Sequence, residues 1–157
     1  MTAIPSIGQS VPDFTATATV GGDISLAALA GKKVVLYFYP KDATPGCTLE
    51  SQQLRDLSAD FTKAGAVIFG ISRDSVKSHV KFREAECLPF DLLSDADESL
   101  CRLFDVIKTK NMYGKQVQGI ERSTFLIDGQ GVLRAEWRKV KADGHAAEVL
   151  AAVQALA

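Results

Sequence analysis

The sequence predicts an α/β fold in which helices cover both faces of a central mixed sheet. Two runs that are apolar on both faces, Lys33 to Tyr39 and Ala66 to Ser72, are typical of strands in the middle of a sheet. Segments with helical periodicity alternate with these runs, as in sheets whose parallel strands are joined by helices. Two later strand-like segments flank Gly129-Gln130-Gly131 and predict a hairpin, so the sheet should be mixed.

The first strand and the helix after it have clear sequence limits. Gly31 precedes the strand and Pro40 follows it. From Cys47 to Ala64 the apolar residues fall roughly on one face of a helix, and Gly65 is the expected C-terminal stop. This region therefore predicts a buried strand, a loop and one long helix.

The second buried strand leads to another helix. Asp74 and Ser75 can cap a helix that runs to about Cys87, and Pro89 ends it. The remaining expected elements are a strand over Asp91 to Leu93, a short helix over Asp95 to Phe104, strands over Arg122 to Asp128 and Val132 to Arg138, and a C-terminal helix over Asp143 to Ala157. The resulting order, β-α-β-α-β-α-β-β-α, is that of the thioredoxin-like fold.

Length and charge restrict the function classes. The chain has 157 residues, which suits a single domain over residues 1–157. Its 18 Lys and Arg residues are balanced by 19 Asp and Glu residues, so the basic excess of a nucleic-acid binder is absent. The apolar stretches are far shorter than the ~20 residues that span a bilayer, and Met1 to Ser10 lacks the pattern of a secretory signal. We expect a soluble, cytoplasmic protein.

The cysteines predict neither a disulfide framework nor a metal site. Cys47, Cys87 and Cys101 are an odd, small set with no C-x-x-C spacing, and only His79 and His145 could help them to bind a metal. Both histidines are expected to be solvent-exposed helix residues. The cysteines are therefore either inert buried thiols or include one reactive thiol in a reducing compartment.

The segment between the first strand and the first helix is the candidate site. Ligand sites in open α/β sheets lie beyond the carboxyl ends of the strands, where this loop is expected. Cys47 falls in the first turn of the helix, where unpaired N–H groups and the helix dipole favour the reactive thiolate. Because Pro45 has no N–H, Gly46 and Cys47 are the N–H donors that could stabilise a departing oxygen.

This segment resembles the peroxiredoxin signature P-x-x-x-T-x-x-C-T-x-E. The longer string YPKDATPGCTLE is similar to the bacterioferritin-comigratory, or PrxQ, branch of that family. Gly119 to Phe125 resembles the family's later strand with its active-site arginine, and Gly8 to Phe14 resembles the family's opening. The signature positions are matched by Pro40, Thr44, Cys47, Thr48 and Glu50.

The resemblance implies a role for each matched residue. Cys47 would be the peroxidatic cysteine, whose sulfur attacks a peroxide oxygen and becomes sulfenic acid. Thr44 would accept a hydrogen bond from the peroxide and donate one to it, and Arg122 would stabilise the thiolate and the departing oxygen. Pro40 would shield the sulfur from water, and Glu50 would orient Arg122 by a charge-assisted hydrogen bond.

The implied activity is that of a thiol-dependent peroxidase, which reduces hydrogen peroxide and organic hydroperoxides without metal, haem or flavin. Thioredoxin or a glutaredoxin/glutathione system would be the reductant, and the protein would be a monomer. A thiol–disulfide oxidoreductase on the same fold is an alternative, weakened because Glu50 stands where a C-x-x-C motif has its second cysteine. A redox sensor or holdase is another alternative, which no residue favours.

The route by which the sulfenic acid is reduced is open. PrxQ-type proteins often carry a resolving cysteine five residues after the peroxidatic one, where this chain has Gln52, or directly after a phenylalanine of the next helix, where Phe82 is followed by Arg83. Cys87 lies one helical turn beyond Arg83; it is either a resolving cysteine or a buried structural thiol. We favour an external thiol over Cys87, and Cys87 over Cys101, which is more typical of a helix core.

Overall fold

A seven-stranded mixed sheet is the centre of the structure, a computed structural model that describes residues 5–19 and 21–156. Residues 1–4, part of the segment compared with a secretory signal, and residue 157, the expected end of the last helix, lie outside this range. The strands are β1 (Thr15–Ala18), β2 (Asp23–Ser25), β3 (Lys33–Phe38), β4 (Ala66–Ser72), β5 (Asp91–Ser94), β6 (Ile107–Met112), β7 (Lys115–Ile120), β8 (Ser123–Ile127) and β9 (Leu133–Trp137). The α-helices are α1 (Pro45–Asp56), α2 (Ser58–Lys63), α3 (Val76–Glu86), α4 (Ser99–Leu103) and α5 (His145–Ala155).

The strand order of the large sheet is β2-β1-β5-β4-β3-β8-β9. β3 is parallel to β4 and β4 to β5, whereas β8 is antiparallel to β3. In that register Phe38 at the end of β3 lies opposite Ser123 at the start of β8. The residues that follow β3 and the residue that precedes β8, Arg122, are therefore at the same edge of the sheet.

The sheet separates two apolar clusters. Val34, Leu36 and Phe38 of β3 point into one cluster, together with α4 residues, while Val35 and Tyr37 point into the other with residues of α1, α2, α3 and α5. This alternation follows from the two-residue period of a strand. It confirms the predicted thioredoxin-like arrangement, with helices on both faces of a mixed sheet.

The side chain of Tyr37 packs on Gly70 and links β3, β4 and α1. A Cβ atom added to Gly70 of β4 would lie 2.7 Å from the phenol ring of Tyr37 and 2.7 Å from Leu92, so a side chain there would force its neighbours to move. The ring of Tyr37 stacks on Tyr39, with centroids 5.5 Å apart. Its hydroxyl oxygen lies 2.9 Å from that of Ser51 on α1, which fixes α1 against the sheet beneath the candidate site.

The predicted elements agree with the structure in most places. The hairpin around Gly129-Gln130-Gly131 is confirmed as β8 and β9, and Ser75 caps α3 by accepting a hydrogen bond from the Ser78 N–H. The single helix predicted over Cys47 to Ala64 is wrong, because Leu57 leaves helical geometry and divides it into α1 and α2. Two hairpins, β1–β2 and β6–β7, were not predicted.

The expectation that His79 and His145 are exposed is wrong, since both are buried. Each ring has buried polar partners that cancel the cost of removing its nitrogens from water. His79 contacts Asp42 and the Leu93 carbonyl, and His145 contacts the Thr124 hydroxyl at 2.8 Å. Burial lowers the pKa of His145, and Arg122 lowers it further against the opposing effect of Glu148.

None of the helices in the described part of the chain combines the length and the apolar character that crossing a membrane requires.

Candidate active site

The loop after β3 leads directly into the helix that carries Cys47. Tyr39 continues the hydrogen bonding of β3 by donating its N–H to the Ile71 carbonyl at 3.0 Å. Thr44 is extended, with φ −80° and ψ 152°, and α1 begins at Pro45. Proline suits this first helical position, because its φ is already helical and the N–H it lacks would have no acceptor. Cys47 thus becomes the third residue of α1 and is only 1% exposed.

The start of α1 presents two backbone N–H groups beside the sulfur. The Thr48 N–H donates to the Thr44 carbonyl at 2.9 Å and makes the first hydrogen bond of the helix. The N–H groups of Gly46 and Cys47 precede it, and neither has an acceptor among the described residues. Together with the positive end of the helix dipole, they favour negative charge at this position.

Arg122 reaches the sulfur from the neighbouring strand. Its Nη2 donates to Cys47 Sγ at 3.4 Å, and its Nη1 donates to Oε1 of Glu50 at 2.7 Å. The side chains of Arg122 and Glu50 are 15% and 0% exposed, so little water screens these contacts. One guanidinium is therefore shared by a thiol and a carboxyl group that lie one turn apart on α1.

The buried position of Glu50 disfavours its negatively charged form. Burial raises its pKa from the ordinary 4.5 to about 7, although the positive charge of Arg122 works in the opposite direction. Its Oε1 bonds to Arg122, while its Oε2 is buried and has no hydrogen-bond partner among the described residues. Close to neutral pH this carboxyl group is therefore partly protonated.

Gly46 allows Arg122 to approach. A Cβ atom added at position 46 would lie 3.0 Å from Nη2 of Arg122 and 3.8 Å from its Cζ. Any larger residue would push away the guanidinium nitrogen that contacts Cys47. From the sequence, Gly46 was expected only to be an N–H donor, because this second requirement depends on a contact between distant parts of the chain.

Thr44 and Pro40 flank the loop. The Thr44 hydroxyl donates to the Lys41 carbonyl at 2.8 Å, so its hydrogen is already engaged while its oxygen can still accept. Pro40 directly follows the buried Tyr39 and is itself half-buried. The structure thus brings Arg122 and Glu50 into direct contact around Cys47, with Thr44 and Pro40 in the adjoining loop.

The other two cysteines lie elsewhere. Cys87 is exposed at the end of α3, in the left-handed conformation with φ 53°, so the alternative of a buried structural thiol is wrong. Cys101 is buried in the cluster on the opposite face of the sheet from Cys47. Burial, together with the nearby Asp95, raises the pKa of Cys101 strongly and keeps its thiol protonated.

Three residues next to the loop have the donor types of a metal site. Side-chain atoms of Asp42, Asp74 and His79 lie within 4.8 Å of one another. Both oxygens of Asp42 and both ring nitrogens of His79 already have hydrogen-bond partners in the protein. We therefore assign no metal to this group. This group could not be predicted from the sequence, because its members are up to 37 residues apart.

Comparisons with known proteins were made on the whole chain. Residues 7–136 match the model of the AhpC/TSA family. "Peroxiredoxin Bcp" of Xanthomonas campestris is 56% identical over 153 residues, which are 98% of this chain and 96% of that protein. "Putative peroxiredoxin bcp" of Coxiella burnetii is 54% identical over 144 residues, which are 92% of this chain and 95% of that protein.

A solved structure gives the same result. The Xanthomonas campestris bacterioferritin comigratory protein, described with a trapped intermediate/ligand complex and for its alkyl peroxide reduction activity, aligns with a TM-score of 0.90. It is 52% identical, and the alignment covers 98% of each chain.

Proposed function

This chain belongs to the AhpC/TSA family, in its peroxiredoxin Bcp or PrxQ branch, and is a thiol peroxidase; we propose that Cys47 is the thiol that peroxide oxidises. The observation that carries this assignment is the contact of 3.4 Å between Nη2 of Arg122 and Sγ of Cys47. Of the three cysteines, Cys47 alone combines this cation with the free N–H groups of a helix start.

The proposed reaction begins with the Cys47 thiolate. Its sulfur attacks one oxygen of the hydroperoxide, the S–O bond forms, and the O–O bond breaks. The second oxygen leaves with the bonding electron pair, takes up a proton, and departs as water or alcohol. Cys47 is left as sulfenic acid, so the sulfur is oxidised by two electrons and the peroxide is reduced by two.

Arg122 and the two N–H groups act where negative charge moves during this step. The charge starts on sulfur and develops on the departing oxygen, and fixed donors in a site with little water stabilise it without reorganising. Glu50 accepts a hydrogen bond from Nη1 of Arg122 and thereby orients Nη2 of the same guanidinium toward the sulfur. Thr44 accepts a hydrogen bond from the incoming peroxide while its own hydrogen stays on the Lys41 carbonyl.

We propose hydrogen peroxide and small organic hydroperoxides as substrates. The Xanthomonas campestris relative, described for alkyl peroxide reduction, supports the organic hydroperoxides. The 1% exposure of Cys47 favours small reactants, which need little space to reach the sulfur. Pro40 contributes by covering the strand end next to this site without adding an N–H group.

For the sulfenic acid we propose reduction by an external thiol. Glu86, next to Cys87, is bonded to Gln52 and Arg55 of α1. These positions lie five and eight residues after Cys47, or about 8–12 Å along a helix axis, whereas a disulfide needs Cα atoms within ~7 Å. Cys87 could condense with the sulfenic acid, releasing water, only after the end of α3 unwinds.

Thioredoxin or a glutaredoxin/glutathione system is the proposed reductant, acting on a monomer. In this cycle the first thiol forms a mixed disulfide with Cys47 and releases water, and a second thiol then restores Cys47. Such a cycle requires a pool of reduced thiols, for which we propose the cytoplasm. Steady-state assays with each reductant system test the proposed reductant. Repeating them over the range of protein concentrations in which a dimer would form tests the proposed monomer.

The assignment of Cys47 is tested with two matched cysteine variants. Cys47→Ser should abolish peroxide consumption, because serine cannot form the nucleophile. Cys87→Ser should retain both the first oxidation and turnover with the external reductant. Peptide mapping after one equivalent of peroxide should place the new oxygen on Cys47.

Retained turnover in Cys47→Ser would refute the assignment of the peroxidatic residue. If Cys87→Ser keeps the first oxidation but loses turnover, and a Cys47–Cys87 crosslink is found by mapping, the internal route replaces the external one.

A further inference from the structure

We propose that Asp42 and His79 form a positioning pair, which holds the loop of residues 41–44 against the first turn of α3 and so sets the place of Cys47. The inference rests on the proposed role of Cys47 as the reacting thiol. Neither residue touches Cys47 in the structure, so the pair would act through the loop and the start of α1.

The side chain of Asp42 is saturated with hydrogen bonds from two directions. Oδ1 accepts from the Tyr39 hydroxyl at 2.6 Å. Oδ2 accepts from the Ser78 hydroxyl at 2.8 Å and from Nδ1 of His79 at 2.8 Å. Since the side chains of His79 and Asp42 are 0% and 4% exposed, these contacts are scarcely weakened by water.

The backbone of the same residue is fixed as well. The Asp42 N–H donates to Oδ2 of Asp74 at 2.8 Å, and Asp74 lies two residues after Ser72, the last residue of β4. Ser72 donates to the same oxygen, and Ser94 donates to the Asp74 carbonyl at 2.6 Å. The loop is therefore attached to the ends of β4 and β5 by its main chain and to α3 by its side chain.

Both ring nitrogens of His79 lie within hydrogen-bond distance of acceptors. Nε2 lies 3.0 Å from the Leu93 carbonyl, which can only accept. Nδ1 lies against the Asp42 carboxylate; burial raises the pKa of Asp42, but the hydrogen bonds of His79 and Tyr39 outweigh this effect and lower the pKa overall. The contact is therefore a buried, hydrogen-bonded pair, and its polar atoms are satisfied only while both partners are in place.

The loop needs such restraint because its conformation is unfavourable. Ala43 has φ 63°, in the left-handed region that is unfavourable for a residue with a Cβ atom. Ala43 lies between the fixed Asp42 and Thr44, whose carbonyl accepts the first hydrogen bond of α1. Release of Asp42 would let this turn relax, move Thr44, and shift Cys47 away from Arg122.

A matched pair of substitutions separates positioning from simple support of α3. In His79→Asn the side-chain amide nitrogen falls close to the place of Nδ1 and can still donate to Asp42, while the Leu93 contact is lost. In His79→Gln the amide reaches the place of Nε2, so the Leu93 contact is retained and the Asp42 contact is lost. Both remove the imidazole ring and both disturb the same buried position.

The measurements are the second-order rate of Cys47 oxidation by hydrogen peroxide, the thiolate absorbance at neutral pH, and the melting temperature. We expect His79→Gln to lower the rate by roughly 10- to 100-fold, the scale of a small misplacement of reacting groups, and to reduce the thiolate absorbance. His79→Asn should keep the rate within about threefold, a shift of less than ~1 kcal/mol in barrier, at a similar melting temperature.

Equal rates in the two variants, or rates that follow only the melting temperature, would overturn the inference. If either variant fails to fold, Asp42→Ala removes the carboxylate of the pair from the loop, and an unchanged rate there would equally count against the pair. Peptide mapping of the oxidised wild type keeps the two proposals apart. Oxidation at a residue other than Cys47 refutes the proposed function, whereas oxidation at Cys47 with equal variant rates refutes only the positioning pair.

Discussion

Arg122 and Glu50 form an almost completely buried ion pair, in which Nη1 lies 2.7 Å from Oε1. Nη2 of the same guanidinium donates a hydrogen bond to Sγ of Cys47. A single cation thus serves two acids on one helix, and the carboxyl group competes with the thiolate for it. Burial, only partly offset by Arg122, raises the pKa of Glu50 to about 7 and leaves it partly protonated near neutral pH.

Arg122→Ala should lower the second-order rate of Cys47 oxidation by roughly 10²–10³, the effect of losing one preorganised donor at a site of developing charge. The fold should persist, because Glu50 can be protonated when its partner is lost. Stopped-flow oxidation at neutral pH measures the rate, and circular dichroism checks the fold. An unchanged rate in a folded variant would remove Arg122 from the reaction.

Glu50→Gln should change how stability depends on pH. The folded-state pKa of Glu50, about 7, lies above its ordinary 4.5, so its contribution is fully present below pH 4.5 and is lost as pH rises to about 7. The loss amounts to roughly 2–4 kcal/mol of unfolding free energy, at about 1.4 kcal/mol per pH unit. Urea denaturation across this pH range should show a flatter profile for Glu50→Gln than for the wild type. Parallel profiles for the two proteins would contradict the raised pKa of Glu50 in the folded state.

Gly46→Ala should separate stability from activity. Position 46 lies in the first turn of α1, where alanine is the better helix former by about 0.5–1 kcal/mol. The new methyl group would nevertheless displace Nη2 of Arg122, from which it would lie 3.0 Å. We expect an unchanged or higher melting temperature with a rate of peroxide oxidation lower by tenfold or more, roughly 1.4 kcal/mol in barrier. A normal rate would contradict the requirement for glycine at position 46.

Gly70→Ala should lower the free energy of unfolding, in contrast to Gly46→Ala. The methyl group would lie 2.7 Å from the Tyr37 ring and from Leu92, so the ring must move. Overpacking of this kind costs roughly 1–3 kcal/mol of unfolding free energy. Chemical denaturation measures this loss of unfolding free energy. Ala66→Gly is the control, because Ala66 is a small residue of the same strand, β4. An unaltered midpoint in Gly70→Ala would contradict the tight packing.

The central strands, their helices and the order of the fold could be predicted from the sequence, because apolar runs and Pro or Gly limits are local signals. The hairpin β6–β7 was missed, since both strands are rich in polar residues and β7 is mostly exposed. Its Tyr113–Gly114 turn, with positive φ at both residues, is the signal that could have identified it.

Within the site, the position of Cys47 at a helix start follows from the neighbouring Pro45 and Gly46 alone. The contact with Arg122 was expected only from a family resemblance, because 75 residues separate it from Cys47 and the register of β8 decides it. The burial of His79 could not be predicted for the same reason. Its partners, Asp42 and the Leu93 carbonyl, are brought together only by the packing of α3 on the sheet.

The most direct test of the account is the ultraviolet thiolate absorbance of the reduced protein at neutral pH, compared with that of Cys47→Ser. The account predicts a thiolate signal in the wild type that is lost in Cys47→Ser, is retained in Cys87→Ser, and disappears on addition of one equivalent of peroxide. A wild-type protein that shows no thiolate at neutral pH, or a signal that survives in Cys47→Ser, would contradict it.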